Sequence, residues 1–106
     1  MEERIHLQVI TPEALVCDSP CSAVQLPIAG GSVGILPGHA PLLGAVEAGI
    51  VRYTAKGKRH YVAVRDGTVH VSDNEVLLLV DAAAEAEDVD RAREALERIA
   101  LAEKTV

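Results

Sequence analysis

The sequence predicts a mainly β fold, an antiparallel β-sandwich or barrel followed by a single C-terminal α-helix. Apolar and polar residues alternate with period two in short stretches between Ile5 and Ser72, the pattern of strands buried on one face. Gly, Pro, Asn and Asp punctuate these stretches at regular, short intervals, as in antiparallel sandwiches. After Asp81 the composition changes to Ala, Glu and Arg, which favour helix.

The elements follow in chain order. Ile5, Leu7 and Val9 alternate with His6 and Gln8 as a first strand, which Thr11-Pro12-Glu13 interrupts because Pro lacks the ladder donor. Ala14 to Cys17 returns as a second strand, and Asp18-Ser19-Pro20 reads as the next turn. Val24 and Leu26 share one face of a third strand that Pro27 ends. Ile50 to Thr54 is a strand, Lys56-Gly57-Lys58 turns it, and residues 59–64 return. Arg65-Asp66-Gly67 reads as a hairpin turn, Gly supplying positive φ. Val69 and Val71 mark a further strand, Asp73-Asn74 turns again, and the nearly continuous apolar run from Glu75 to Val80 reads as a strand buried on both faces.

The helix is expected from about Asp88 to Ala102, roughly 22 Å at 1.5 Å per residue. Val89, Ala92, Leu96 and Ile99 recur at spacings of three and four and line one face. Glu87 precedes Arg91, and Glu94 precedes Arg98, by four positions, each pair adding a few tenths of a kcal/mol. A helix of this length is marginal alone in water, so its apolar stripe needs a surface to pack on. The chain divides into a β domain over residues 1–84 and a helical tail over 85–106.

Composition excludes several function classes. The 106 residues carry a net charge of −6 with no Lys/Arg stripe, which argues against a nucleic-acid partner. Lys56, Lys58 and Arg59 flank Gly57 as a solvated hairpin tip. No segment reaches the ~18 consecutive apolar residues that cross a bilayer, and the N-terminus lacks the features of a secretory signal. The chain is expected to be soluble and intracellular, without direct membrane insertion. Phe and Trp are absent, so the core must come from Val, Leu, Ile and Ala. Cys17 and Cys21 have neither zinc nor redox spacing and are expected to remain small structural thiols. His6, His39, His60 and His70 show no metal-ligand spacing, no nucleophile elbow surrounds any Ser, and the carboxylates Glu85, Glu87, Asp88 and Asp90 suit a helix N-terminus. No catalytic residue, metal or cofactor is expected.

The most distinctive stretch is Gly31-Ser32-Val33 followed by Gly34-Ile35-Leu36-Pro37-Gly38-His39-Ala40-Pro41-Leu42-Leu43. It lacks the Lys of a phosphate-binding loop and the spacing of a dinucleotide fingerprint. Its prolines stiffen the chain, and Ile35, Leu36, Leu42 and Leu43 make it either a rigid apolar docking surface or a plug for the sandwich. A free-standing ligand-binding or interaction β-domain, with this loop as its mouth, is the alternative reading of the same residues.

The ten residues from Gly34 to Leu43 resemble the signature of the ε subunit of F-type ATP synthases, called δ in mitochondria. The resemblance extends to Leu7-Gln8-Val9-Ile10-Thr11-Pro12-Glu13, to Gly49-Ile50-Val51-Arg52 and to Ala86-Glu87-Asp88-Val89-Asp90. It implies the family's β-sandwich of about ten strands and a non-catalytic central-stalk subunit that binds γ and the c-ring, coupling proton or sodium flow to ATP synthesis. It implies a peripheral place on the cytoplasmic face of the bacterial plasma membrane. Gly31, Ser32, Val33, His39, Ala40, Pro41, Leu42 and Leu43 would face the c-ring or γ, and the tail would face the α/β subunits. Ser32 stands where some relatives carry an acidic residue. Asp90 and Arg93 match part of an ATP-binding motif of bacterial relatives, but Glu94 replaces its small residue; a solvated Asp90–Arg93 pair is the plainer expectation. With only the first of the family's two tail helices, inhibition of hydrolysis through the second is expected to be absent or weak.

Overall fold

The computed structural model describes residues 2–104, with the side chains of 102–104 left out; the last two residues of the expected tail lie outside the described residues. Eight strands precede one helix: β1 (Ile5–Ile10), β2 (Leu15–Cys21), β3 (Ala23–Ile28), β4 (Gly31–Ile35), β5 (Leu42–Val46), β6 (Gly49–Ala55), β7 (Lys58–Ser72), β8 (Glu75–Ala86) and α1 (Val89–Lys104). The fold class is as the sequence predicts, mainly β with one C-terminal helix.

The expected count of about ten strands becomes eight because β7 and β8 each serve both layers. Residues 58–64 of β7 pair with β6, while residues 67–71 pair with β5. Along β8, residues 75–79 lie between β1 and β7, and residues 82–86 follow β7 into the other layer. One layer is β2–β1–β8–β7–β5 and the other adds β4, β3 and β6. Strands that switch layers at a corner are a regular device of such sandwiches.

Gly67 explains the misread hairpin at Arg65-Asp66-Gly67. β7 runs straight through it, and the ladder to β8 skips from Arg65–Ala82 to Gly67–Val80. A Cβ on Gly67 would lie 1.9 Å from the Leu79 carbonyl oxygen. The glycine is there for close backbone approach at the corner, not for a reversal. The β1–β8 pairing is parallel, so the sandwich is mixed at one position and not wholly antiparallel. Two further breakers also stand inside strands. Pro20 lies in β2, which is an edge strand, where a missing donor is tolerated. Pro27 lies in β3, and its carbonyl accepts from the Glu47 N–H at 3.2 Å.

The core is aliphatic, as the absence of Phe and Trp requires. Ile5, Leu7 and Val9 meet Val24, Leu26, Ile35, Val51, Val62, Val64, Val69, Val71, Val76 and Leu78 between the layers. β8 departs from expectation: Val76, Leu78 and Val80 are buried, but Leu77 is half-buried and Leu79 is 49% exposed. Its apolar run is thus two stripes, one in the core and one facing out. Cys17 and Cys21 are free and buried, and burial raises both thiols, Cys21 to about 11, so neither is a reactive thiolate.

The strand pattern reaches Ala86, past the compositional change at Asp81, because Ala82, Ala84 and Ala86 pair with Arg65, Ala63 and Tyr61. Ala63 is fully buried outside the interlayer core, and α1 packs on β7 and β8 there. Small side chains on the sheet let the helix approach closely, and Ala92 and Ala95 are its buried residues. The Asp88 side chain caps the helix, accepting from the Arg91 N–H at 2.8 Å. Arg65 reaches over to donate to the Ile99 carbonyl at 2.9 Å. The apolar stripe therefore lies on the sandwich. Arg91 pairs with Glu94, three positions on, at 3.3 Å, in place of the expected i,i+4 partner.

Candidate docking surface

The distinctive stretch is two elements joined by a tight turn. Gly31, Ser32 and Val33 begin β4, after the two-residue turn Ala29-Gly30. Leu42 and Leu43 begin β5. Between them, Leu36-Pro37-Gly38-His39 forms a type II turn: the His39 N–H donates to the Leu36 carbonyl at 3.1 Å, and Gly38 has φ +84°. Pro suits the first central position and Gly the second, where an L side chain is strained. Asn74, itself at φ 64° in the β7–β8 turn, accepts the Gly38 N–H at 2.8 Å. His39 Nδ1 lies 2.6 Å from the Ala40 carbonyl. One hydrogen bond ties the middle of the loop to the β7–β8 turn, and the others close it internally.

The predicted contact residues separate into two groups. His39, Ala40, Pro41, Leu42 and Leu43 sit beside the β7–β8 turn, since Leu42 pairs with Val71. Gly31, Ser32 and Val33 sit at the other end of β4, beside Val46, which pairs with Ile28. Of the four apolar residues, Ile35 is buried and Leu42 packs on the core, whereas Leu36 is 59% and Leu43 78% exposed. The stretch is a plug on one side and a presented surface on the other.

Register extends the presented side across the sheet. Leu43, His70, Leu77 and Gln8 form one outward row over β5, β7, β8 and β1. Ala45, Thr68, Leu79 and Ile10 form the next, and Leu15 on β2 pairs with Ile10. Leu15 is 51% exposed. This outer face carries four aliphatic side chains on adjoining positions, Leu15, Ile10, Leu79 and Leu77; Leu43 stands beyond His70, and the first row ends on β2 at Asp18. Sequence reasoning missed it because Leu77 and Leu79 were assigned to the core; the paired outward positions on β1 and β5 become visible only with the register.

One charged cluster borders that face. His6 on β1 lies between Asp18 of β2 and Glu75 of β8, with Nδ1 3.1 Å from Glu75 and Nε2 hydrogen-bonded to Asp18. The bond to Asp18, then that to Glu75, raises the His6 pKa above 6.5. His60 stacks on buried Tyr53 with ring centroids 4.9 Å apart. Among the described residues no group of three or more His, Cys, Asp and Glu could hold a metal ion, and no helix is long and apolar enough to cross a membrane. Asp90 and Arg93 lie 3.6 Å apart on the exposed helix surface, away from both groups of contact residues.

Residues 4–86 match the family model of the ATP synthase delta/epsilon chain β-sandwich domain. The chain belongs to the ATP synthase delta/epsilon chain family. It is 43% identical over 100 residues to the ATP synthase epsilon chain of Nitratidesulfovibrio vulgaris, covering 92% of this chain and 75% of that one. It is 46% identical over 94 residues to the epsilon chain of Desulfitobacterium hafniense, covering 87% and 71%. The fold is similar to a chain of the Euglena gracilis mitochondrial ATP synthase OSCP/F1/c-ring assembly, with TM-score 0.73 and 22% identity, over 95% of this chain and 66% of that one. It is also similar to one of the Tetrahymena thermophila mitochondrial ATP synthase central stalk and c-ring, with TM-score 0.65 and 13% identity, over 94% and 92%. The family thus accounts for the sandwich and for most of the chain's length.

Proposed function

We infer that the chain is a non-catalytic central-stalk subunit of an F-type ATP synthase, a rigid bracket between γ and the c-ring on the cytoplasmic face of a bacterial plasma membrane. The observation that carries the reading is the outward-facing aliphatic surface formed by Leu15, Ile10, Leu79 and Leu77, with exposed Leu43 beyond His70 at its border. A contiguous apolar face on a protein of this size is a docking site. It takes γ, with His39, Ala40, Pro41 and Leu43 at its rim. Gly31, Ser32 and Val33, at the other end of β4, face the polar loops of the c-ring. Membership in the delta/epsilon chain family and the relatives' names support the place in an ATP synthase.

The role is mechanical, so the relevant property is stiffness. Two layers joined by β7 and β8, an aliphatic core and a tied loop resist shear between the two contacts. Torque entering at one contact then leaves at the other without slip.

Leu43 and Leu42 make the test. Leu43 is exposed in the free chain, so Leu43→Asp leaves the melting temperature near wild type. It removes an anchor worth about 1.5–3 kcal/mol when buried and weakens binding to purified γ by roughly one to two orders of magnitude. Leu42→Asp instead places a charge against the core and destabilises the fold. Unchanged γ affinity in Leu43→Asp refutes docking through this face.

A further inference from the structure

The two ends of the strand path are treated differently by the sequence. β2 is an edge strand that pairs with β1 alone, and it carries Asp18 and Pro20. A charge and a proline are the usual guards against edge-to-edge pairing. β4, the opposite edge, pairs with β3 alone, and its sequence Gly-Ser-Val-Gly-Ile has no charge and no proline.

The ladder shows which groups that edge presents. Ala29-Gly30 is a two-residue hairpin turn, so Ile28–Gly31, Leu26–Val33 and Val24–Ile35 are the pairs that exchange hydrogen bonds. Pro27 has no N–H to give β4, and its carbonyl is used by Glu47 on the other side. Ser32 and Gly34 therefore turn their N–H and C=O groups outward, free to accept another strand.

A groove of about 310 Å³ adjoins this edge, lined by Gly34, Leu36, Gln25, Thr54, Arg52 and Arg59 among others. Its lining holds two cations and no anion, in a chain of net charge −6. Gly34, Gln25, Arg52 and Tyr61 lie in one cross-strand row. Gly34 has no side chain, and nothing stands within 4 Å of where its Cβ would be. A side chain from a strand added beside β4 thus passes over Gly34 toward Arg52. The span is three strand spacings, about 14 Å, which a glutamate and an arginine side chain close between them.

We propose that the β4 edge and the Arg52/Arg59 groove together form a strand-addition site for an acidic, extended segment of a partner protein. Backbone pairing to Ser32 and Gly34 supplies affinity, and carboxylates meeting the two arginines supply specificity. A second copy of this chain is a poorer occupant, because its own β4 brings no carboxylate. The site is separate from the aliphatic face, and the inference stands whether or not that face holds γ; it shares Ser32 with the proposed c-ring contact, so an added strand and the c-ring loops exclude one another there.

The test uses the full chain, 15N-labelled, with two synthetic peptides, one alternating valine and glutamate, the other valine and lysine. The glutamate peptide is expected to slow amide exchange at Ser32 and Gly34, and the lysine peptide to leave both unchanged. Arg52→Glu, at a half-buried position on the outer side of β6, is expected to weaken glutamate-peptide binding at least about tenfold with unchanged circular dichroism. Ser32→Pro removes the edge donor and abolishes binding; should that variant fail to fold, Arg52→Glu carries the test alone. Equal binding of the two peptides, protection away from β4, wild-type affinity in Arg52→Glu, or self-association in place of peptide binding would each overturn the proposal.

Discussion

His6 ties three strands with one ring. Asp18 and Glu75 accept from its two nitrogens only when both carry protons, so the charged imidazolium is the bound form. Its pKa is raised in the folded chain, and the stabilisation is therefore fully present below about pH 6.5 and lost as pH rises through the raised value. The three side chains are partly solvated, so the effect is modest. Thermal melts from about pH 5 to about pH 9 should show a fall in melting temperature for the wild type that is flattened in His6→Gln. A second residue-scale prediction concerns Gly38. At φ +84° a valine would be strained by about 1–2 kcal/mol, and Gly38→Val should lower stability by that amount in urea unfolding. The Pro37-Gly38 turn was legible from sequence as a site of tight geometry. The role of Asn74, 36 positions away in the chain, was not, because a contact across loops leaves no local pattern.

At the scale of elements, the strands with alternating patterns were legible and the corners were not. β1, β3 and β6 follow their periodicity closely. Gly67 carries the same local signal as a turn glycine, and only the 1.9 Å approach to the Leu79 carbonyl distinguishes the two. Gly67→Ala should therefore force the β7–β8 crossing apart, at about 1–3 kcal/mol, without changing the exchange protection of the β6–β7 hairpin. The extent of β8 was hidden for a related reason: its alanines read as helix by propensity, and tertiary pairing with β7 overrides that preference. Those alanines are what α1 needs beneath it. Ala92 is fully buried against the sheet, so Ala92→Glu should release the helix to proteolysis while the sandwich keeps its cooperative melt. Simultaneous loss of both would show that the helix is part of the sandwich's folding unit.

For the whole molecule, the sandwich can be understood as two layers held by shared strands, with its presented surfaces on separate sides. The candidate contact residues were visible in the sequence as a rigid, proline-braced stretch. Their division between the two ends of β4 and the outward leucines of β8 were not, because face assignment depends on register and a run of Leu77, Leu78 and Leu79 fits either side. The aliphatic face over β1, β8, β7 and β5 is the surface inferred to hold γ in the stalk. The most direct measurement is hydrogen–deuterium exchange of the full chain with and without purified γ. Addition of γ should protect residues 42–46 and 67–79 and leave α1 unchanged; protection confined to α1, or none in either strand segment, would rule out docking through this face.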